Sequence, residues 1–205
     1  ENRLLFGRTD TDEGPTWIGR LGLSDLDQKV LQIDWRAPAA AAFYQATAAN
    51  PMGLVRRRHI TTEARRVVSL SDEVFDADAV DASAVPGSSD SALLSALRSV
   101  RTGRMHDIVA TIQGEQDRII RADVKGALVV QGGPGTGKTA VALHRAAYLL
   151  YTHRFPLEGQ GVLVVGPNRL FLSYIEQVLP SLGEAGVELA VLADLVADDV
   201  RIAGS

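Results

Sequence analysis

The sequence contains no cysteine among its 205 residues, which excludes a disulfide framework and any thiolate metal site. No apolar run approaches the roughly 18 residues that a membrane-spanning helix needs. The opening stretch, ENRLLFGRTD, also lacks the basic flank and apolar core of a signal peptide. We therefore expect a cytoplasmic protein without membrane contact. Its 46% hydrophobic residues suffice for the core of one medium domain, or one domain with a small appendage.

Positive charge and aromatic residues are also scarce. The formal net charge is −4, and the lysines are limited to Lys29, Lys125 and Lys138. A protein without a global basic field is not marked as a nucleic-acid binder by its charge. With only 5% aromatic residues, the chain offers few platforms on which single-stranded bases could stack. Nucleic acid is therefore expected to be a secondary partner at most.

The first part of the chain, residues 1–71, has the pattern of a small β-rich segment. Short β-prone runs alternate with turn-forming stretches such as TDTDEG and SDLDQ, which predicts a small antiparallel sheet or partial barrel. Residues 72–90, DEVFDADAVDASAVPGSSD, are acidic and rich in small residues. They contain a Pro-Gly pair and are predicted to form a linker.

Residues 91–205 have the pattern of an α/β domain. Helices are predicted from Ser91 to Val100 and from Asp107 to Ala122, where apolar residues recur at helical spacing. Strands and helices then alternate in the order GALVVQ, a helix over 138–151, GVLVVG, a helix over 170–182, and VELAVL. Near-continuous apolar strands between amphipathic helices indicate a parallel sheet with helices on both faces.

A glycine-rich loop separates GALVVQ from the next helix, and its residue types fit phosphate chemistry. It matches G-x-x-x-x-G-K-[ST] with Gly132, Gly133, Pro134, Gly135, Thr136, Gly137, Lys138 and Thr139. Glycines let backbone N–H groups turn towards a phosphate chain, and the following helix directs its positive dipole end at the same anion. Lys138 supplies charge for the β and γ phosphates, and the Thr139 hydroxyl is a ligand for the bridging Mg²⁺. The alternative is a structural glycine turn before a helix.

The flanks of this loop resemble those of superfamily 1, UvrD-like helicases. IQGEQDRII resembles their Q motif, which implies that Gln116 reads the edge of adenine; an amide can donate to a ring nitrogen and accept from the exocyclic amine. GKTAVALHRAAYLL is similar to their first helix after the loop, although for His144 and Arg145 a structural role, through packing or a local salt bridge, is favoured. Ala140 stands where many members carry a basic residue, so stacking on adenine from that position is not expected.

A narrower resemblance, to HelD-type ATPases, extends over most of the chain. It is carried by FGRTD, WIGRLGL, IDWRAPAAAAFYQATAANPMGLVRRR, RMHDIVATIQGEQDRIIRA and GVLVVGPNRLFLSYIEQVLPSLGE. The resemblance implies a β-rich segment followed by the first part of a RecA-like ATPase domain. It also implies ATP and Mg²⁺ as cofactors and bacterial RNA polymerase as the partner that a motor ATPase releases from stalled complexes.

The resemblance leaves two alternative functions and one gap. The alternatives are a DNA-translocating repair helicase and a polymerase-binding protein that uses nucleotide only as a conformational ligand. No acidic motif II is recognisable, since Asp198 and Asp199 lie in a predicted helix rather than at the end of an apolar strand. We therefore expect the 205-residue chain to be a fragment that is inactive alone, whereas its parent hydrolyses ATP.

Four further features have both a functional and a structural interpretation. Arg56, Arg57 and Arg58 could face nucleic acid or polymerase, but a solvated or salt-bridged strand is favoured. Trp35 and Arg36 could meet a partner, but a core position at a strand end is favoured. In GPNRLF, Asn168 either contacts nucleic acid, as motif Ia does in the helicases, or caps a helix. Near it, Arg169, Phe171 and Tyr174 could contact a strand, and the two aromatic residues could instead serve the core.

Overall fold

A computed structural model describes residues 4–63, 66–76, 109–153, 161–178 and 187–195. These residues fall into two compact units, each of which is described by itself. The first comprises the described residues of Glu1–Arg101 together with Ile108–Asp123, and the second comprises those of Val124–Ser205. In the described part of the chain, no helix is long and apolar enough to cross a membrane.

The first unit is built on a six-stranded mixed sheet with the order β3-β4-β2-β1-β5-β6. Its strands are β1 (Leu5–Thr11), β2 (Gly14–Gly19), β3 (Leu23–Ser24), β4 (Val30–Asp34), β5 (Arg56–Glu63) and β6 (Arg66–Val74). The β-rich character expected from the sequence is confirmed. The antiparallel expectation is wrong in one place, because β2 pairs with β4 in parallel. The chain reverses direction twice between those strands, and the short β3 forms the intervening antiparallel step on the outer edge of β4.

The core of the first unit lies where a short helix covers the sheet. A 3₁₀ turn, Pro38–Ala40, leads into α1 (Ala41–Gln45), which buries Phe43 and Tyr44. The Phe43 ring packs edge-on against Phe6, with 5.8 Å between ring centroids. A Cβ at position 7 would lie 2.5 Å from Phe43 Cε2, so Gly7 makes room for this ring. Glycine in β1 is thus required by helix-on-sheet packing rather than by a turn.

The boundary expected at residue 72 is not a boundary in the structure. Strand β6 continues through Asp72 to Val74, and the Asp72 side chain is fully buried. Asp72 accepts hydrogen bonds from Arg58 Nε and Nη2, both at 2.6 Å. Asp72 is therefore part of an ion pair within the sheet and does not begin a solvated linker. Residues 77–90 and the predicted helix over 91–100 lie outside the described residues.

The helix predicted from Asp107 to Ala122 is shorter in the structure. A 3₁₀ turn, Val109–Thr111, precedes α2 (Gly114–Ile120), and α2 packs against α1. Gln113 separates the two segments, since its ψ of 156° is extended rather than helical. A residue with this geometry can cap a helix but cannot continue one, which explains the break in an otherwise helical pattern.

The described residues of the second unit form two helices and one parallel strand pair. These are α3 (Lys138–Thr152), β7 (Val162–Gly166), α4 (Arg169–Val178) and β8 (Val187–Val191), followed by a 3₁₀ turn, Leu192–Leu195. Strands β7 and β8 pair in parallel and in register from Val162↔Val187 to Gly166↔Val191. The α/β character and the parallel direction of this pair agree with the sequence pattern. The predicted helix over 170–182 is described only as far as residue 178.

The sequence predicts a strand at GALVVQ, but the structure has none there. Residues 127–131 have no assigned secondary structure, and Val129 is 80% exposed. A parallel strand that is apolar on both faces needs hydrogen-bonded neighbours and covering helices to bury it. Neither β7 nor β8 pairs with this stretch, so its apolar side chains remain exposed.

Candidate nucleotide-binding site

The glycine-rich loop has the backbone geometry that its sequence requires. Gly137 caps α3 in the left-handed region with φ +83°, and Gly135 has φ +77°. Residues with a side chain rarely adopt these backbone angles, so a non-glycine residue at either position would strain the loop. The loop leads directly into Lys138 and Thr139 at the first turn of a 15-residue helix.

Lys138 folds back over the loop that precedes it. Its Nζ donates to the carbonyl oxygens of Gly132, at 2.7 Å, and Gly133, at 2.6 Å. Thr136 Oγ1 also donates to the Gly133 carbonyl, at 2.9 Å. A Cβ at position 132 would lie 2.7 Å from Thr136 Oγ1, so the close approach depends on glycine. The lysine charge is thereby held against the exposed backbone of the loop.

This arrangement fits a nucleoside triphosphate with Mg²⁺. The first N–H groups of a helix have no partner within the helix, and the helix dipole adds positive potential at the same place. The Lys138 ammonium is exposed and can exchange loop carbonyls for phosphate oxygens. Thr139 is half-buried at the first turn and offers a hydroxyl oxygen, a suitable hard ligand for Mg²⁺. Among the described residues, no group of three or more His, Asp or Glu side chains could hold a metal ion.

Helix α3 is fixed by an apolar face that includes a buried histidine. His144 is 1% exposed, and its Nδ1–H donates to the Ala140 carbonyl oxygen at 2.7 Å. Of the two interpretations of His144, the structure supports packing with a local hydrogen bond. Ala140 is itself buried and has no side chain that could stack on a base.

Gln116 takes part in a capping box at the start of α2. Its Oε1 accepts a hydrogen bond from the Gln113 backbone N–H at 3.0 Å, and Gln113 is the N-cap residue. Gln116 lies in the third helical position, where a glutamine can reach back in this way. The half-buried side chain is therefore held in a defined orientation, with one acceptor site of its amide oxygen occupied.

Helix α2 is joined to the rest of the first unit by a polar cluster that we call the Asp117 cluster, consisting of Gln45, Asp117 and Arg121. Asp117 is 0% exposed and accepts from Arg121 Nε at 2.9 Å and from Gln45 Nε2 at 2.6 Å. Burial raises the pKa of the Asp117 carboxyl, and Arg121 and Gln45 act in the opposite direction.

Arg121 extends the same cluster to the backbone after β4. Its Nη1 donates to the carbonyls of Arg36 and Ala37, and its Nη2 donates to that of Trp35 at 2.6 Å. It also lies 5.9 Å from the centre of the Tyr44 ring, whose hydroxyl pKa is raised well above 10.0, chiefly by burial. A single arginine thus connects the helix of the Q-motif segment to the end of the sheet and to α1.

A cavity of about 440 Å³ opens beside the N-terminal end of α2, within the first unit. Phe43 and His59 contribute to its lining, and their rings are 4.8 Å apart. Burial, followed by the Arg57 charge, lowers the His59 pKa to about 4, so the imidazole is neutral at pH 7. Gln113 lines this cavity, but Gln116 is not among the lining residues.

The arginine run in β5 is salt-bridged, as the favoured interpretation had it. Arg56 pairs with Asp10 at 2.6 Å, Arg58 pairs with Asp72, and Arg57 pairs with Glu73. Trp35, 1% exposed, lies in the core, and Arg36 forms a buried pair with Asp34 at 2.8 Å. These cations are already neutralised, so none of them marks a surface for phosphate.

In the region after β7, Asn168 has a structural role. Asn168 Oδ1 accepts from the Phe171 N–H at 2.8 Å, which confirms that Asn168 caps α4. Arg169 is 84% exposed and pairs with Asp194 at 3.0 Å. Phe171 is half-buried, and Tyr174 is 49% exposed, so the core interpretation does not hold for Tyr174. Asp198 and Asp199 lie outside the described residues.

Sequence reasoning missed the Asp117 cluster. The available signal was an Asp–Arg pair at i, i+4 within EQDRIIR, in which the acid falls on the apolar side of the helix next to Ile120. An acid at such a position is expected to be paired, because an unpaired buried charge is costly. Gln45 could not have been connected to it, because the two residues are far apart in the sequence.

Two models of known families match different parts of the chain. Residues 112–166, which include the Gln116 and P-loop segments, match the UvrD/REP helicase N-terminal domain. The class defined by the loop and its flanks is therefore that of the UvrD-like helicases, which use ATP and Mg²⁺.

The part before the Q-motif segment identifies the family more narrowly. Residues 1–85 match the N-terminal domain of DNA helicase IV, HelD. Together the two matches support a HelD-type relative of the UvrD-like helicases, in its N-terminal region. No curated protein matches it.

Proposed function

We propose that this chain binds Mg-ATP through residues 132–139 and forms the nucleotide-binding part of a helicase-like motor ATPase. In this proposal the β-rich segment continues through β6 to Val74. Residues 91–205 begin a RecA-like domain whose parallel sheet includes β7 and β8. The observation that carries the proposal is the loop itself: two left-handed glycines, a lysine folded over loop carbonyls, and a 15-residue helix starting at that lysine.

Each of the proposed binding residues contributes a different kind of contact to the nucleotide. The loop N–H groups and Lys138 hold the phosphates, and Thr139 supplies a ligand for Mg²⁺. Mg²⁺, when bound, offsets charge that builds up on the phosphates during transfer. Gln116 contacts the adenine through its amide. Lys138 stabilises the transferred phosphoryl group, which is the only step of hydrolysis that we assign to a side chain of this chain.

We further propose that the parent protein acts in the cytoplasm, binds bacterial RNA polymerase and uses ATP hydrolysis to release it from stalled complexes. The HelD-type N-terminal domain supports this proposal. Charge supports it too, because a single-strand translocator needs a basic groove with stacking aromatics. In the first unit, the three arginines of β5 are each paired with a carboxylate. Direct binding of nucleic acid is therefore secondary.

The match of residues 112–166 to the UvrD/REP helicase domain supports a second candidate, a DNA-translocating repair helicase. A third, a polymerase-binding protein that needs nucleotide only as a conformational ligand, differs in its dependence on hydrolysis. One experiment on the full-length parent separates all three. It combines a pull-down of polymerase core, a binding assay with single-stranded DNA at physiological salt, and a polymerase-release assay with ATP.

The release proposal predicts retention of polymerase core in preference to single-stranded DNA. It also predicts that Lys138→Ala keeps polymerase binding and loses ATP-dependent release, whereas Lys29→Ala, on an exposed loop of the first unit, changes neither. ATP-driven unwinding without retention of polymerase would support the repair helicase instead. Release that continues with a non-hydrolysable ATP analogue would support the conformational-ligand candidate.

A further inference from the structure

Helix α2 carries Gln116 and Asp117 side by side, and the two side chains have different environments. Gln116 is half-buried and its amide oxygen accepts from the Gln113 N–H. Asp117 is fully buried and accepts a hydrogen bond from Gln45 of α1. Since consecutive residues of a helix point about 100° apart, holding Asp117 fixes the direction in which Gln116 points.

The Asp117 cluster holds that residue from several directions. Gln45 on α1 donates to Oδ2 at 2.6 Å, and Arg121, one turn further along α2, contacts both carboxylate oxygens at 2.9 Å. Arg121 in turn donates to three consecutive backbone carbonyls, those of residues 35, 36 and 37. The rotation of α2 about its axis and its position along that axis are therefore both restrained by α1 and by the backbone after β4.

A helix of seven residues has little stability of its own, so these restraints matter more than they would for a long helix. Its capping box ties Gln116 to Gln113 at one end, and the Asp117 cluster ties the middle and the C-terminal end to the sheet. Because a base-reading amide must be placed within fractions of an ångström, a small rotation of α2 would misplace its donor and acceptor.

We infer that Asp117, Gln45 and Arg121 are positioning residues through which α1 and the backbone after β4 set the orientation of Gln116 and thereby the preference for adenine over guanine. The inference rests on the proposed role of Gln116 in reading the base. It assigns to α1 and the end of β4 a function in nucleotide selection besides their structural one.

The test is a double-mutant cycle on the 205-residue chain. Affinities for fluorescent methylanthraniloyl derivatives of ATP and GTP are measured with Mg²⁺ for the wild type, Asp117→Asn, Gln116→Ala and the double variant. Gln116→Ala should lower the ATP-to-GTP affinity ratio by about tenfold, the effect of one buried hydrogen-bonding group. Asp117→Asn should lower the same ratio by about threefold or more in the wild-type background and have no further effect in the Gln116→Ala background.

Two further variants keep the result interpretable. Gln45→Leu removes one hydrogen bond and leaves the Asp117–Arg121 pair in place, so it should lower the ratio even if Asp117→Asn folds poorly. Asp72→Asn is the matched control, because Asp72 is an equally buried carboxylate whose arginine partners, Arg56 and Arg58, lie on β5. It should leave the ATP-to-GTP ratio unchanged.

Different experimental results would contradict the proposed function and the positioning role. Lys138→Ala should weaken both nucleotides by the same factor, and unchanged affinities in that variant would contradict phosphate binding by the loop. A ratio that neither Asp117→Asn nor Gln45→Leu changes would contradict the positioning role. Equal loss of ATP and GTP affinity in those variants, or equal effects in both backgrounds, would also contradict it, because both indicate a purely structural role.

Discussion

Mild acid should destabilise the first unit through His59. The imidazole lies on β5 against the Phe43 ring, and burial together with the nearby Arg57 lowers its pKa from 6.5 to about 4. A group whose pKa is lower in the folded state binds fewer protons there than in the unfolded chain. Its contribution to stability is therefore fully present above pH 6.5 and is lost as the pH falls towards 4.

The size of the effect follows from the two pKa values. Between pH 7 and pH 5 the unfolded imidazole becomes almost fully protonated, and the folded one stays mostly neutral. Integration of the proton linkage between these values gives a loss of about 2 kcal/mol in the free energy of unfolding, a large fraction of the marginal stability of a small domain.

The assay is urea unfolding followed by tryptophan fluorescence at pH 7 and pH 5. Both tryptophans of the chain, Trp17 and Trp35, lie in the first unit, so the signal reports that unit. In His59→Gln, which has a neutral side chain at both pH values, the pH-dependent loss should shrink by about 2 kcal/mol relative to the wild type. An equal loss in the wild type and the variant would refute the reasoning, because other groups would then account for it.

Two further predictions concern the second unit. The 205-residue chain should show negligible steady-state ATP turnover, because in-line phosphoryl transfer needs a positioned water and charge stabilisation beyond that of the loop; measurable phosphate release that Lys138→Ala abolishes would disprove this. Asn168→Ala should cost α4 about 1 kcal/mol by removing the cap on the Phe171 N–H, with Asn168→Asp as the control that preserves an acceptor. Hydrogen exchange at the first-turn amides of α4 measures the effect, and identical protection in the wild type and the alanine variant would argue against the cap.

Local patterns predicted several elements because their physical causes are local. The glycines, lysine and threonine of residues 132–139 define both a loop and the start of a helix, and α3 begins at Lys138 as expected. Near-continuous apolar runs likewise predicted β7 and β8. The salt-bridged interpretation of Arg56, Arg57 and Arg58 followed from strand periodicity, although their partners could not be named.

The failures come from contacts between distant parts of the chain. Asp72 and Glu73 were assigned to a linker by composition, yet each is paired with an arginine of β5, an interaction that no window around residue 72 contains. GALVVQ has the composition of a strand but forms one only where neighbouring strands pair with it. The Asp117 cluster required knowing that α1 and α2 pack together, which brings Gln45 to Asp117.

The central claim, that this chain binds ATP through the loop at 132–139, is tested most directly by equilibrium titration with a fluorescent ATP analogue in Mg²⁺. We predict saturable binding that Lys138→Ala weakens about 10- to 100-fold, the range for a lost charge-assisted hydrogen bond to phosphate. The matched variant Lys29→Ala, which removes an exposed lysine of the first unit, should bind as the wild type does. Equal affinities of the wild type and Lys138→Ala would contradict the claim.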